Sequence, residues 1–181
     1  MKTSLAILLS LTQFVLLIST ISPTRIAMAD TITLPEGVIT LNGRKAPALA
    51  LSDMDGNQYQ LPHSPGRWVF VHFWASWCGP CRREMPTIQK MAALIDNKSF
   101  EIVLVNTAET DDTVFGFLGI AAPDLTTLMD YDGQVTEQWQ PRGLPASFFV
   151  DPKGNLRYIA LGGRDWDKPN YLNFITSLIT R

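Results

Sequence analysis

Side chains that bind transition metals are scarce in this 181-residue chain, which has two cysteines and two histidines. A closed zinc site needs four ligands, and His63 and His72 both precede the cysteines instead of following them at a usual spacing. The chain also lacks a Gly-rich phosphate loop, a paired-carboxylate site and a Ser/His/Asp site. The sequence therefore gives no support to a zinc protein, a nucleotide-binding enzyme or a triad hydrolase.

Positive charge is scarce as well, with 15 basic residues against 17 acidic ones. The first 29 residues hold two of the basic residues and none of the acidic ones, so residues 30–181 carry 13 against 17, a net charge of −4. There is no basic tract, internal repeat or low-complexity segment. These features argue against nucleic acid or an anionic membrane surface as a partner.

One long apolar run is present, at residues 5–21, and it follows Lys2. Ala27, Met28 and Ala29 then supply the small-x-small pattern of a signal-peptidase site. The pattern predicts a signal peptide at 1–29, cleaved after Ala29, and one domain at 30–181. The alternative is an uncleaved membrane anchor, because the run is long for a signal core and borderline for a membrane span. Either arrangement puts the domain outside the cytoplasm, most simply in a periplasm.

The two cysteines, Cys78 and Cys81, are separated only by Gly79 and Pro80 and follow the apolar run at 68–74. That run predicts a buried strand, and an amphipathic helical pattern begins near Gly79. The N-terminus of a helix favours negative charge, and the thiolate is the form of cysteine that attacks a disulfide. We therefore expect Cys78 to be the exposed nucleophile and Cys81, one turn further along, to resolve a mixed disulfide.

Hydrophobic periodicity predicts the other elements. The strands are expected at 47–51, 59–61, 69–75, 101–107, 146–151 and 156–161, with an Asp-Gly turn joining the first two as a hairpin. Helices are expected from 79 onward and at 110–119, 132–139 and 171–179. Their inward residues are predicted to be Met85, Ile88, Met91, Ala92 and Ile95, then Val114, Phe115 and Leu118, and finally Leu172, Ile175, Leu178 and Ile179.

Residues 73–86 read Phe-Trp-Ala-Ser-Trp-Cys-Gly-Pro-Cys-Arg-Arg-Glu-Met-Pro. This stretch resembles thioredoxin, and more closely the extracytoplasmic thioredoxin-like proteins of the TlpA/ResA/DsbE type. Segments 41–61, 142–145 and 148–154 agree with the same family, so the resemblance covers nearly all of the chain after the leader. It implies an α/β thioredoxin fold, with a central mixed sheet flanked by helices, an N-terminal β-hairpin and a central helical insertion.

The resemblance also implies a substrate-binding surface around the cysteines. In the family, the proline at the position of Pro145 is cis and packs beside the cysteine pair, and the residue before it, here Leu144, lends its backbone to an incoming substrate strand. An ordinary trans proline in a turn is the alternative. Trp77 is expected to shield one side of the site and Gly79 to leave the approach open, and Pro80 is expected to belong to the same substrate-binding surface.

Two further side chains are candidates for proton chemistry. The family has a glutamate at the position of Glu84 that lies near the cysteines and tunes them, since a nearby carboxylate raises a thiol pKa. The alternative is a solvated glutamate beside Arg82 and Arg83. His72 stands six residues before Cys78, where thioredoxin carries a buried acidic residue that assists proton transfer. It is either a proton relay or a core histidine bonded to backbone or water.

The predicted function is that of an exported thiol-disulfide oxidoreductase acting on protein substrates, more as a reductant than an oxidant. The resemblance suggests cytochrome c maturation or a similar dedicated task. No metal or organic cofactor is implied, because the Cys78–Cys81 disulfide is the redox centre. An exported reductant would need an electron donor in the membrane, because the compartment is oxidising. A copper-delivery module and a non-catalytic binding scaffold are the alternatives, although a copper site of this fold normally has wider cysteine spacing and a histidine downstream.

Overall fold

The computed structural model describes residues 32–61 and 66–180. The predicted signal peptide at 1–29, the start of the predicted 30–181 domain and the loop containing His63 lie outside these residues. The described strands are β1 (Val38–Thr40), β2 (Leu49–Asp53), β3 (Gln58–Leu61), β4 (Trp68–Trp74), β5 (Phe100–Thr107), β6 (Leu128–Asp130), β7 (Ala146–Val150) and β8 (Leu156–Leu161). The described helices are α1 (Gly79–Leu94), α2 (Asp111–Ala121), α3 (Gln134–Trp139) and α4 (Pro169–Ile179).

The strands form one open, mixed sheet in the order β1-β8-β7-β4-β5-β6-β2-β3. Central strand β4 pairs in parallel with β5 and antiparallel with β7, which places Val71 between Val103 and Phe148. The predicted hairpin is confirmed, as β2 and β3 pair with each other, and β2 joins the sheet through β6. Strand β1, which the sequence did not predict, pairs with β8 at the opposite edge.

Each face of the sheet carries its own hydrophobic core. On one face, Phe70, Trp74 and Phe149 pack with buried residues of α1, α2 and α4. On the other face, Val71 and Phe73 pack with Trp139 of α3 and with residues of the β2–β3 hairpin. Because strand side chains alternate between faces, a strand covered on both sides must be apolar throughout, which explains the continuous apolar run of β4. The expected thioredoxin-like arrangement is thus confirmed.

Helix α1 begins where it was predicted, with Pro80 in its first turn and Cys78 as its N-cap residue. Pro is tolerated there because the first N–H groups of a helix have no intrahelical partner. Met85, Ile88 and Met91 are buried as predicted. Two predicted core residues of the same helix, Ala92 and Ile95, are only partly buried. Ile95 is the C-cap residue, so it lies just beyond the last turn of the helix. Within the described residues, no helix is both long and apolar enough to span a bilayer.

Helix α2 departs from the prediction at one aromatic residue. Val114 and Leu118 are buried, but Phe115 is 71% exposed, because the face that α2 presents to the core is narrower than its apolar composition suggested. Helix α4 shows the opposite deviation, because it buries two aromatic residues that were not predicted to face the core. Ile175 and Leu178 are buried as predicted, and Tyr171 and Phe174 are buried with them, whereas Leu172 and Ile179 are partly buried.

Candidate active site

Cys78 and Cys81 form a disulfide at the start of helix α1. The backbone N–H of Cys81 donates to Cys78 Sγ at 3.3 Å, so one of the unpaired donors of the helix N-terminus points at this sulfur. Cys78 is 5% exposed and Cys81 is fully buried. The predicted order of accessibility is therefore correct, but the expectation that Cys78 is exposed is wrong in the disulfide state.

The surface around this disulfide is open. Trp77 is 69% exposed, and Gly79 and Pro80 are exposed beside it. These three residues therefore form an exposed rim next to Cys78. An aromatic side chain this exposed contributes little to the core, so its retention next to the disulfide is consistent with a contact surface.

The Leu144–Pro145 peptide bond is cis, so the alternative of a trans proline is wrong. Pro145 immediately precedes β7, whose first residue, Ala146, pairs with Phe73 near the end of β4. The start of β7 and the segment leading to Cys78 therefore lie at the same end of the sheet. Leu144 is partly exposed and Pro145 is buried.

The loop after β8 brings this proline strand and helix α1 together. The backbone N–H of Gly162 donates to Pro145 O at 2.8 Å. The next residue, Gly163, lies so close to Pro80 that an added Cβ would stand 3.2 Å from both the Cβ and the carbonyl oxygen of Pro80. Any larger residue at position 163 would therefore require Pro80, in the first turn of α1, to shift by a few tenths of an ångström.

Glu84 is 2% exposed and points into the protein, so the alternative of a solvated glutamate is wrong. Its Oε2 accepts hydrogen bonds from the backbone N–H of Arg164 at 2.9 Å and from the indole N–H of Trp166 at 3.1 Å. Both donors belong to the segment between β8 and α4. A buried carboxylate needs such partners, because desolvation without them is costly.

His72 is completely buried on β4 and contacts two side chains. Its Nδ1 is hydrogen-bonded to Ser147 Oγ at 2.8 Å, and its Nε2 lies 3.3 Å from Glu84 Oε1. The hypothesis of a core histidine is thus correct about burial, but the partners are side chains instead of backbone or water. The two residues considered separately from the sequence, His72 and Glu84, are brought into contact by the fold.

Sequence reasoning missed two polar residues at this site. Ser147 is a single polar residue in the apolar run of β7, and it lies opposite His72 in the β4–β7 register. A polar residue in a buried strand was a usable signal, but its partner depends on the register. Glu109, between β5 and α2, accepts hydrogen bonds from Ser76 just before the disulfide, and no local pattern marks it.

A groove of about 570 Å³ runs beside the first turns of α1. Pro80, Arg83 and Glu84 form one wall, and residues of the β8–α4 segment and of α4 form the other. Tyr171 in this wall donates a hydrogen bond from its hydroxyl to Glu36 O, and burial raises the pKa of this phenol.

Among the residues that the structure describes, no group of three or more His, Cys, Asp or Glu side chains is arranged to hold a metal ion.

The disulfide at a helix N-terminus and the cis proline lie at the same end of the sheet, and a family model matches the chain that carries them. The family model described as Redoxin covers residues 41–175. The chain belongs to the redoxin family. Among curated proteins it is similar to the thiol-disulfide oxidoreductase ResA of Bacillus subtilis (strain 168), with 30% identity over 120 residues that cover 66% of this chain and 67% of the relative. The ResA protein of Geobacillus thermodenitrificans is 32% identical over 120 residues, which cover 66% and 69% of the two chains.

Solved structures agree with this assignment. One crystal structure is described as that of a thiol:disulfide interchange protein DsbE from Chlorobium tepidum, whose sequence is 35% identical to this chain. The two structures match with a TM-score of 0.68 over 76% of this chain and 96% of that one. The thioredoxin domain of a thiol-disulfide oxidoreductase from Bacteroides vulgatus is 26% identical, with a TM-score of 0.65 over 76% and 96%. This redoxin is thus a thioredoxin-like thiol-disulfide oxidoreductase of the TlpA/ResA/DsbE type, as the sequence predicted.

Proposed function

We propose that this redoxin works outside the cytoplasm as a reductant of protein disulfides, with Cys78 as the attacking sulfur and Cys81 as the resolving one. The observation that carries the proposal is the unequal burial of the two cysteines at the start of α1. Cys78 keeps 5% of its surface exposed and receives an N–H of the helix terminus, whereas Cys81 is fully buried. Only the first can meet a disulfide on another protein.

Two exchange steps complete the reaction. In the reduced enzyme, the Cys78 thiolate attacks one sulfur of a substrate disulfide, a mixed disulfide forms, and the other substrate sulfur leaves as a thiolate. The Cys81 thiolate then attacks Cys78 Sγ, the Cys78–Cys81 disulfide closes, and the second substrate thiolate leaves. Two electrons pass to the substrate, which takes up two protons. No metal or organic cofactor enters these steps.

The rim described above is the proposed docking surface. Trp77, Gly79 and Pro80 lie on one side of Cys78, and the Leu144–Pro145 segment begins the neighbouring strand. An extended substrate segment that hydrogen-bonds the backbone of Leu144 would bring its sulfur to Cys78, which is a form of strand addition. The proximity of Gly163 to Pro80 and the hydrogen bond of Gly162 to Pro145 support the proposal, because they link the two halves of this surface through the loop after β8.

Glu84 and His72 are proposed to set the proton affinity of the cysteines. The carboxylate lies one helical turn after Cys81, on roughly the same face of α1, and its Oε1 faces the imidazole. A carboxylate–imidazole pair can exchange a proton between its members, so it can supply or accept the proton that accompanies thiol formation. The hydroxyl of Ser147 fixes the other ring nitrogen and hence the ring orientation.

The leader predicted at residues 1–29 supports a location outside the cytoplasm, most simply a periplasm. Such compartments are oxidising, so a reductant there needs an electron donor, and a membrane-embedded dithiol protein is the class that fits. The relatives are named thiol-disulfide oxidoreductases, which supports protein disulfides and thiols as the proposed substrates and products. The family resemblance favours a dedicated reductive task such as cytochrome c maturation.

The equilibrium reduction potential of the Cys78–Cys81 couple tests the reductant role. We expect a potential below about −200 mV, which is more reducing than the poise of an oxidising compartment, together with dithiothreitol-dependent reduction of insulin. A potential near about −120 mV would identify an oxidant instead. The matched control is the Cys78→Ser, Cys81→Ser double variant, which must lose insulin reduction. Tight Cu(I) binding by the wild-type protein in the absence of insulin reduction would favour the copper-delivery alternative.

Replacement of Trp77 by Ala tests the docking surface. Since this side chain is mostly exposed, we expect the midpoint of thermal unfolding to change little. The KM for a protein disulfide should rise roughly three- to tenfold, because the substrate loses an aromatic contact. Phe115→Ala, which removes an equally exposed aromatic residue from α2, is the control and should leave KM unchanged. Equal KM values for the Trp77 variant and the wild type would remove Trp77 from the docking surface.

A further inference from the structure

The segment that leads from β4 into helix α1 is held by a carboxylate from another part of the chain. Glu109 Oε2 accepts a hydrogen bond from the Ser76 backbone N–H at 2.6 Å, and its Oε1 accepts one from the Ser76 hydroxyl at 2.5 Å. Asn106 on β5 donates its Nδ2–H to Glu109 Oε2 at 2.7 Å. One hydrogen bond therefore joins the Glu109 carboxylate to Asn106 of the central sheet, and two others join it to Ser76.

The remaining polar group of Ser76 is also bonded. Arg82 donates from its guanidinium to Ser76 O at 3.1 Å, and the guanidinium carbon lies 4.9 Å from the ring centroid of Phe117 on α2. The backbone N–H of Cys78 donates to Ala75 O at 3.2 Å and closes the turn. The N–H, the hydroxyl and the carbonyl of Ser76 thus each have a partner, and Ser76 itself is nearly buried.

This arrangement matters because Ser76 is followed directly by Trp77 and Cys78. Trp77 is too exposed to be held by its own packing, so the position of its ring depends on the backbone that carries it. A docking surface that is already rigid loses less entropy when a partner binds. We infer that Glu109 is a positioning residue that fixes Trp77 and Cys78 in one geometry for protein substrates, a role that no pattern in the sequence indicates.

The hydrogen bonds and the charge of Glu109 can be separated by substitution. In Glu109→Gln, the amide oxygen can accept from Ser76 N–H and Asn106, and the amide N–H can donate to the Ser76 hydroxyl, which is also an acceptor. This variant keeps all three bonds and loses the charge. Glu109→Ala loses both. A positioning role therefore predicts a defect in the alanine variant that the glutamine variant largely lacks.

The test measures kcat and KM for insulin reduction, and the rate at which the reduced protein attacks a small disulfide, 5,5′-dithiobis(2-nitrobenzoate). For Glu109→Ala we expect KM for insulin to rise roughly tenfold, equivalent to the loss of about one charge-assisted hydrogen bond, with kcat nearly unchanged. The rate with the small disulfide should change less than about twofold, since a small molecule does not use the docking surface. Amide hydrogen exchange at Ser76 should become faster, while exchange in β4 stays slow.

Glu101→Ala is the matched control, because Glu101 is a partly buried carboxylate near the start of the same strand β5 and bonds Arg67 instead of the active site. It should leave both substrates unaffected. An unchanged KM in Glu109→Ala, an equal loss with both disulfides, or a Glu109→Gln variant as defective as Glu109→Ala would overturn the inference.

A variant that retains part of the contact covers the case in which Glu109→Ala does not fold. Ser76→Ala removes the hydroxyl bond and keeps the backbone bond, and it should raise KM for insulin by roughly threefold, whereas no rise would count against the inference. The inference assumes that Cys78 is the attacking sulfur. If Cys78→Ser still reduces insulin, that proposal fails; if Cys78→Ser is inactive and Glu109→Ala is normal, only the positioning role fails.

Discussion

Cys81→Ser is expected to accumulate mixed disulfides with its protein substrates through Cys78. Without the buried sulfur, nothing within the site can displace the substrate from Cys78, so the first exchange step proceeds and the second stops. Turnover in insulin reduction should fall to background. Electrophoresis without a reducing agent should show high-molecular-mass adducts that disappear when dithiothreitol is added, and mass spectrometry of the adducts should identify Cys78 as the linked residue.

Cys78→Ser is the paired control for this trap. It should be equally inactive but form few adducts, because the remaining sulfur, Cys81, is fully buried. Alkylation of the reduced wild-type protein should likewise label Cys78 first. Adducts that form mainly in Cys78→Ser, or labelling that begins at Cys81, would reverse the two roles while leaving the oxidoreductase assignment intact.

Glu84→Ala is expected to lower both stability and activity. The substitution leaves the partly buried backbone N–H of Arg164 and the buried indole N–H of Trp166 without an acceptor, at about 1–3 kcal/mol for each donor. The free energy of unfolding should therefore fall by roughly 2–6 kcal/mol, measured by urea denaturation monitored through tryptophan fluorescence. The loop after β8 also contacts Pro80 through Gly163, so its loosening should reduce insulin reduction as well.

Glu84→Gln separates stability from proton chemistry. Its amide oxygen can still accept from both donors, so we expect most of the stability to be retained. The negative charge is gone, so the titration of the reduced cysteine thiols should shift to lower pH, because a nearby carboxylate disfavours the thiolate. Glu137→Gln, on an exposed glutamate of α3, is the control for both measurements. An unchanged thiol titration in Glu84→Gln would refute the tuning role, and an unchanged unfolding free energy in Glu84→Ala would refute the structural one.

Local sequence was a reliable guide wherever the structure depends on neighbouring residues. The start of α1, the burial order of Cys78 and Cys81 and the β2–β3 hairpin all follow from groups within a few residues of one another. Capping, a proline in the first turn and an Asp-Gly turn act over that range. The cis bond at Pro145 was anticipated from the family resemblance and not from the residues alone.

Burial along the helices was predicted less well. Periodicity marks which residues share a face, but it does not say how wide a stripe the neighbouring elements cover. Phe115 was expected to point inward and is exposed, whereas Phe174 is buried and was not predicted. Each outcome is decided by what packs against the helix, and this depends on tertiary contacts that propensity and pattern do not contain.

The redox pair, its place at a helix N-terminus and the α/β class can be read from the order of the residues, because short-range patterns encode them. The surroundings of the pair depend instead on contacts between distant parts of the chain. His72 meets Ser147 across a separation of 75 residues, Glu84 meets Arg164 across 80, and Ser76 meets Glu109 across 33. Such contacts depend on strand register and on the packing of loops over the sheet, and a one-residue change of register turns a strand side chain to the opposite face.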